Sequence, residues 1–170
     1  MSYALPFARG AVWASTVEGG APPSGIMGKL YLDALNGQII QVVKNTDASA
    51  LAGCKVVKWE TLSGSRYEVD KVVASGSPAV AGVVDPTYAN KGVTVPVNAA
   101  FFVVKRGLVA ILAGATITVN SALVTDSAVS NNLEGRIQGG AATTPPLQAF
   151  GHTRASANAG ASCLCHVNIA

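Results

Sequence analysis

The sequence has few charged side chains. Only 12% of its 170 residues are Asp, Glu, Lys or Arg, about half of the roughly 25% that is usual in globular proteins. The twelve basic residues are scattered, with Lys105-Arg106 as their one adjacent pair, so no basic stripe can follow a phosphate backbone. We therefore expect no nucleic-acid partner, and a surface that is poorly protected against association with other proteins.

Targeting features and long apolar runs are also missing. The start, MSYALPFARG, has neither an early positively charged segment nor an uninterrupted apolar run followed by a cleavage site. The best candidate for a membrane span, Leu108 to Ala115, is too short and contains Gly114. The sequence therefore predicts a soluble protein that is made in a cytoplasm and has no membrane partner.

Motifs for catalysis and phosphate binding are absent from the sequence. It contains no Gly-x-Ser-x-Gly elbow, no GxxxxGK[ST] loop, and no strand followed by GxGxxG and an amphipathic helix. Glu68 and Asp70 share one face of a predicted strand, where a pair of carboxylates is more often solvated than used as general acid and base. We therefore predict that the protein is not an enzyme, with no catalytic residues and no cofactor.

Cysteine is scarce, and three residues cannot all pair, so reduced thiols are expected. The Cys163-x-Cys165-His166 cluster has the character of a metal ligand set. Structural zinc needs four ligands, usually with at least two residues between cysteines, and only the distant Cys54 and His152 could complete the set. We predict core cysteines on a terminal strand and no metal, and keep zinc as the alternative.

What the chain does have is glycine, with 18 residues, and many Ala, Val, Thr and Ser, while the residues that cover exposed helix faces are few. This composition predicts an all-β fold with a compact β-barrel or sandwich-like body of short strands. Asn36-Gly37 lies between apolar stretches and predicts a hairpin within Leu30 to Lys44. Phe101 to Val104 and Leu108 to Leu112 are predicted as two buried strands about a basic turn at 105–107.

A looser copy of Ala81 to Val97 returns as Phe150 to Cys165. Each copy has a strand, an Ala-Asn-x-Gly turn and a strand of period two, and each is preceded by Leu-Ala-Gly, at 51–53 and at 112–114. A repeat of this length indicates two related β-units, 38–97 and 102–169. The alternative is chance similarity between glycine-rich turns.

Residues 1–30 are predicted to form an extended N-terminal arm, and residues 31–170 the β-rich body. The arm has no sustained period and is rich in Pro and Gly, which excludes a regular helix or central strand. It nevertheless carries apolar side chains that a disordered tail usually lacks. We predict that the arm is buried on the body or on a neighbouring subunit, with partner-binding anchors at Tyr3, Leu5, Phe7 and Trp13.

Residues 82–124, GVVDPTYANKGVTVPVNAAFFVVKRGLVAILAGATITVNSALV, resemble the body of the head decoration, or capsid cement, proteins of tailed bacteriophages. The shared pattern is a glycine-led strand, an Ala-rich turn ending in Gly, a Val/Thr strand, an apolar strand and an AG-x-x-[IV]-x-V strand. The ending from Ala149, AFGHTRASANAGASCLCHVNIA, is also similar, and the likeness spans residues 38–170. The arm and the loop at 127–146 depart from the pattern.

The resemblance implies a viral structural protein that binds the outer surface of the assembled capsid and clamps neighbouring major capsid protein subunits. It implies a location on the virion after synthesis in the host cytoplasm, and neighbouring copies of the chain as further partners in a homo-oligomer. The alternatives are another virion component, such as a tail or head-completion protein or the shell subunit itself, and a small β-barrel enzyme or sugar-binding module. A cleft built around Trp59, Tyr88 or His152 would favour the last.

Overall fold

A computed structural model describes residues 8–13, 25–60, 67–72, 79–126, 136–139 and 149–170. In these ranges the regular secondary structure is almost entirely strand, so the predicted all-β class is confirmed. The elements are β1 (Leu30–Asp33), β2 (Gln38–Asn45), β3 (Leu51–Ala52), β4 (Val56–Trp59), β5 (Glu68–Lys71), β6 (Val80–Val84), α1 (Pro86–Asn90), β7 (Thr94–Val95), β8 (Ala100–Leu112), β9 (Leu123–Asp126), β10 (Arg136–Gly139), β11 (Gly151–Thr153) and β12 (Ser162–Asn168).

Five strands close into a small barrel. β2 pairs with β5, β5 with β4, β4 with β6, β6 with β8, and β8 pairs back with β2. The β2–β5 pairing is parallel, with Lys44 opposite Glu68, and the other four are antiparallel. Because the ring is closed, each of its five strands has a paired neighbour on both sides, and the ring has no edge strand. The barrel or sandwich-like body that the sequence predicts is therefore compatible with the observed ring.

Strand β8 extends out of the barrel into a second part of the sheet. Its first half pairs with β2 and β6, and its second half pairs with β12, which in turn pairs with β11. β1 adds to the outer side of β2. The sequence prediction of two strands about a basic turn at 105–107 is wrong, because β8 runs without a turn from Ala100 to Leu112.

A β-bulge at Lys105, followed by Gly107, lies where β8 passes from one part to the other. The register between β2 and β8 shifts at Lys105, since Ile39 is opposite Arg106 whereas Ile40 is opposite Val104. Gly107 has φ +110°, and a Cβ atom at this position would lie 2.8 Å from the carbonyl oxygen of Gly37. Only glycine takes this conformation readily. The bulge shifts the alternation of β8 by one residue, so that Phe102 and Val104 before it and Val109 and Ile111 after it belong to the same core. Both faces of β8 are buried before the bulge, and one face is buried after it.

Two apolar cores lie on opposite faces of the first half of β8. Phe101 and Val103 belong to the cluster inside the barrel, to which every strand of the ring contributes. Phe102 and Val104 belong to the other cluster, which also contains Ile111 of β8 and the inward residues of β12. A strand that is buried on both faces has a continuous apolar run rather than an alternating one. This double burial accounts for the sequence Ala99 to Val104.

The two Leu-Ala-Gly segments have similar neighbours. Leu51 of the first lies opposite Val95, in the strand that follows the first turn, and Leu112 of the second lies opposite Ser162, in the strand that follows the second turn. Both pairings are antiparallel. The strands differ greatly in length, however, because β7 has two residues and β12 has seven. The repeat thus stays a prediction. The feature that its two units share is the antiparallel pairing of the Leu-Ala-Gly segment with the strand that follows the turn.

Candidate interaction surfaces

The segment at 8–13 binds to the rest of the chain through main-chain hydrogen bonds and through the side chains of Trp13 and Arg9. Trp13 exchanges two backbone hydrogen bonds with Ala100, at 3.0 and 2.8 Å, and its ring meets that of Phe102 edge to face at 5.4 Å. Only 7% of Trp13 is exposed. Its ring therefore packs into the core of its own chain, which is the first of the two modes of burial predicted for the arm. Tyr3, Leu5 and Phe7 lie outside the described residues, so the predicted anchor roles remain predictions.

Arg9 holds the same segment through an ionic cluster. Its Nε donates to Asp85 Oδ2 at 2.8 Å, and its Nη1 donates to Asp33 Oδ2 at 2.8 Å and to Gln38 Oε1 at 2.6 Å. The side chain of Asp85 is 0% exposed and that of Asp33 is 5% exposed. Both carboxylates therefore depend on the guanidinium for compensation of their charge.

Both acidic residues in this cluster also order the local backbone. Asp85 is the N-cap of α1, accepting hydrogen bonds from the main-chain N–H and hydroxyl of Thr87. Burial alone would raise the pKa of Asp33, but hydrogen bonds from Asn36 and Arg9, together with the charge of Arg9, hold that pKa below its usual value. Sequence reasoning did not find this cluster. The Asp85-Pro86-Thr87 run was the available signal, since it is typical of a helix start.

The hydroxyl of Tyr88 links the 8–13 segment to the barrel. Tyr88 is fully buried; its Oη donates to the carbonyl of Ala11 at 2.8 Å and accepts from the N–H of Phe102 at 3.0 Å. Burial raises the pKa of Tyr88 well above its ordinary value. The Tyr88 hydroxyl thus joins the backbone carbonyl of Ala11 to the backbone N–H of Phe102 in β8.

The variant Tyr88→Phe is expected to lower the free energy of unfolding by about 2 kcal/mol, because it removes the partner of a buried donor and a buried acceptor while keeping the ring. Equilibrium denaturant unfolding measures this loss. Tyr31→Phe is a comparable removal of a hydroxyl from a buried tyrosine elsewhere in the core. A loss no greater at Tyr88 than at Tyr31 would show that the bridge contributes little.

One face of the sheet beyond the barrel is exposed. Cross-strand partners share a face. The pairings Leu32–Ile39–Arg106–Asn168, Leu108–His166–His152 and Ala110–Leu164 join exposed and half-exposed positions of five strands. We call this surface the open face, defined by Leu32, Ile39, Arg106, Leu108, Ala110, His152, Leu164, His166 and Asn168. It continues the side of the sheet that is enclosed within the barrel.

The open face is apolar for a solvent-exposed sheet. Leu32, Leu108 and Leu164 are 37%, 45% and 45% exposed. Arg106 is the one member of the set with a permanent charge, and its Nε donates to Asn168 Oδ1 at 2.8 Å. Exposed leucines on neighbouring strands are typical of a protein-binding surface. The open face is therefore a candidate docking surface that sequence reasoning did not locate, although the alternation of β12 contained its signal.

The Cys163-x-Cys165-His166 cluster is divided between the two faces of β12. Both thiols lie in the core and are fully buried, whereas His166 lies on the open face. Burial, and to a lesser degree the neighbouring Cys163, raises the pKa of Cys165. In the described parts of the chain, no group of three or more Cys, His, Asp or Glu side chains could hold a metal ion. The three cysteines are free thiols.

Lys105 is a buried cation near one end of the barrel. It is 5% exposed, its Nζ donates to the main-chain oxygens of Ala81 at 2.9 Å and Ala170 at 2.6 Å, and it lies 5.0 Å from the centre of the Trp59 ring. None of the ion pairs seen between described residues involves Lys105. Burial lowers the pKa of Lys105 to about 8.

The three residues that would favour a ligand-binding cleft lie in different settings. Tyr88 is fully buried in the barrel cluster, Trp59 packs at the margin of that cluster beside Lys105, and His152 lies on the open face. No ring contact between described residues joins any two of the three. Within the described residues, no helix is long and apolar enough to cross a membrane.

A solved structure with a similar fold is the N base of the head fibre protein gp8.5 of bacteriophage phi29. The TM-score is 0.51 and the sequence identity is 14%, and the match covers 75% of this chain and 93% of that chain. No protein-family model matches the sequence, and no curated protein matches it. The likeness shows a shared fold, because 14% identity is too low to carry residue roles from one protein to the other.

Proposed function

We propose that this chain is a structural component of a bacteriophage head, without a catalytic step. The observation that carries the proposal is the shared fold with the N base of a head fibre protein, which covers nearly all of that chain. The sequence resemblance to head decoration proteins points in the same direction through different information. Both concern proteins of the phage head, and neither depends on a pocket or a catalytic group.

In the more specific form of this proposal, the protein is a capsid decoration protein. It binds the outer surface of the assembled shell and clamps neighbouring major capsid protein subunits, and neighbouring copies contact each other. The open face supplies the apolar area that such binding needs. Contacts between neighbouring copies link their binding at adjacent sites, which adds avidity to a modest affinity at each site. Binding to the assembled shell alone stabilises that state by mass action.

A base for a head-bound appendage is the second candidate, and it is favoured by the identity of the solved neighbour, which is the base of a head fibre. The two candidates differ in the number of copies per particle and in whether further structure extends outward from the barrel, away from the capsid. A reconstruction of intact particles from electron cryomicroscopy separates them. Density for the barrel at repeated positions between capsid subunits supports the decoration protein, whereas density continuing outward from it supports the base. Density confined to the tail would contradict both.

The open face can be tested with the double variant Leu108→Gln and Leu164→Gln. Each leucine is nearly half exposed, so burying the two at an interface contributes about 2 kcal/mol in total, or roughly thirtyfold in Kd. We expect the variant to bind capsids at least tenfold more weakly, as measured by titrating purified protein onto particles that lack it and quantifying the bound copies.

Val119→Gln is the matched control, because Val119 is 49% exposed but does not belong to the open face. It should bind as the wild type does. The thermal unfolding midpoints of both variants should stay near that of the wild type, since the substituted side chains are on the surface. Equal binding by the double variant and the wild type would exclude the open face as the docking surface.

A further inference from the structure

The two histidines of the chain lie directly opposite each other. The sequence has only His152 and His166, and these are Cα partners on the antiparallel strands β11 and β12. Their ring centroids are 5.4 Å apart, with 25° between the ring planes. Both residues are half-buried, so solvent reaches them on the open face. The fold thus brings together all the imidazole groups of the chain.

The ring nitrogens of this pair are available to a ligand. Within the described part of the chain, neither imidazole hydrogen-bonds to another residue, and the contact that each ring makes is with the other ring. Buried histidines usually have a hydrogen-bond partner that fixes their orientation. The half-exposed pair has none, so its rings can turn about their side-chain torsions without breaking a hydrogen bond.

The spacing of the pair suits a single bound ion. Directly opposite residues on antiparallel strands have Cβ atoms about 4.5–5.5 Å apart. A tetrahedral ion at about 2.0–2.1 Å from one nitrogen of each imidazole places the ring centroids about 5 Å apart. The observed 5.4 Å is close to this value, so the separation of the rings that one shared ion requires is already present.

We propose that His152 and His166 form a two-histidine site for a divalent late transition-metal ion, of the class of Zn²⁺ or Ni²⁺. Imidazole nitrogen is a preferred ligand of these ions, whereas Mg²⁺ and Ca²⁺ prefer oxygen. The ion bridges β11 and β12, and its remaining coordination positions are filled by water. This site is separate from the cysteines, whose thiols lie on the other face of β12. It does not depend on the proposed role in a phage head.

The site is tested by isothermal titration of the full-length, untagged chain with Ni²⁺ and with Zn²⁺. One ion is expected to bind per chain, and Mg²⁺ is not expected to bind. His152→Asn and His166→Asn should each weaken binding at least tenfold, because each leaves a single imidazole. Asn168→Ala, on the same face and strand as His166, should leave the affinity unchanged.

A second measurement covers the case in which a histidine variant fails to fold. In NMR spectra of the wild-type chain, paramagnetic Ni²⁺ should selectively broaden the signals of both imidazoles and of the neighbouring Leu164. Binding that persists in both histidine variants would assign the ion to the thiols and overturn the proposal. Broadening spread over other surfaces, or no binding of either ion at millimolar concentration, would overturn it as well.

Discussion

Replacing Arg9 with alanine is expected to reduce the free energy of unfolding by about 3–5 kcal/mol. The guanidinium contacts two carboxylates, Asp33 and Asp85, that are almost completely shielded from water. Removing the positive charge leaves two buried negative charges near each other, and the cost of burying an unpaired charge exceeds the value of an ordinary hydrogen bond. Equilibrium unfolding in urea, followed by tryptophan fluorescence, measures the loss.

Two further variants identify the cause of the loss. Asp33→Asn in the Arg9→Ala background removes one of the uncompensated charges, so part of the stability should return. Lys91→Ala removes only an exposed hydrogen bond from Nζ to the carbonyl of Arg9, 3.3 Å long, and should change stability by less than about 0.5 kcal/mol. A loss below about 1 kcal/mol for Arg9→Ala would mean that water reaches both carboxylates.

Short-range features of the fold followed from the sequence. The hairpin about Asn36-Gly37 is present as β1 and β2, and Gly37 has φ +61°, which the turn needs. The terminal strand predicted for Ala161 to Ile169 is present as β12, with the period of two that the apolar positions indicated. In each case the residues that decide the conformation are close together in the sequence.

Features that depend on distant residues did not follow from the sequence. Lys105-Arg106-Gly107 has the composition of a turn, but the Lys105 Nζ donates to main-chain oxygens of Ala81 and Ala170, and the chain continues as one strand. The parallel pairing of β2 with β5, which closes the barrel, joins residues that no local pattern relates.

The candidate surfaces were missed for the same reason. The alternation along β12 indicates that one of its faces is exposed. The open face is completed by residues of β1, β2, β8 and β11, whose register the sequence does not contain. The pairing of His152 with His166 likewise depends on how β11 aligns with β12. Sequence reasoning considered His166 only together with the cysteines, which are its neighbours in the chain, whereas period two places it on the other face.

Lys105 gives the second large expected effect, a rise in stability with pH. In the folded chain, burial lowers the pKa of this ammonium to about 8, whereas in the unfolded chain the group titrates near 10.4. Between these values the unfolded chain binds the extra proton, so the free energy of unfolding increases as the pH rises. The contribution of Lys105 is about 3 kcal/mol over the whole interval, and it is absent below about pH 7.

Other groups titrate in or near this interval, so the measured quantity is a difference between variants. Burial raises the pKa of the Cys54 and Cys165 thiols, which opposes the effect of Lys105 because the unfolded chain then loses protons first. Hydrogen bonds lower the pKa of Asp47 to about 2 in spite of its burial, and burial together with the neighbouring Asp47 raises the pKa of Asp70 to about 6, so both carboxyls titrate below the interval. Subtracting the stability of Lys105→Met from that of the wild type at each pH removes these shared contributions.

We expect this difference to change by about 2–3 kcal/mol in favour of the wild type between pH 7.5 and pH 10. Lys105→Arg is the matched control, because arginine stays charged throughout the interval and its difference from Lys105→Met should remain flat. Denaturant unfolding at five or six pH values under reducing conditions is sufficient. A flat difference for the wild type as well would mean that the Lys105 ammonium is hydrated in the folded protein, and that the bonds to Ala81 and Ala170 do not withdraw it from water.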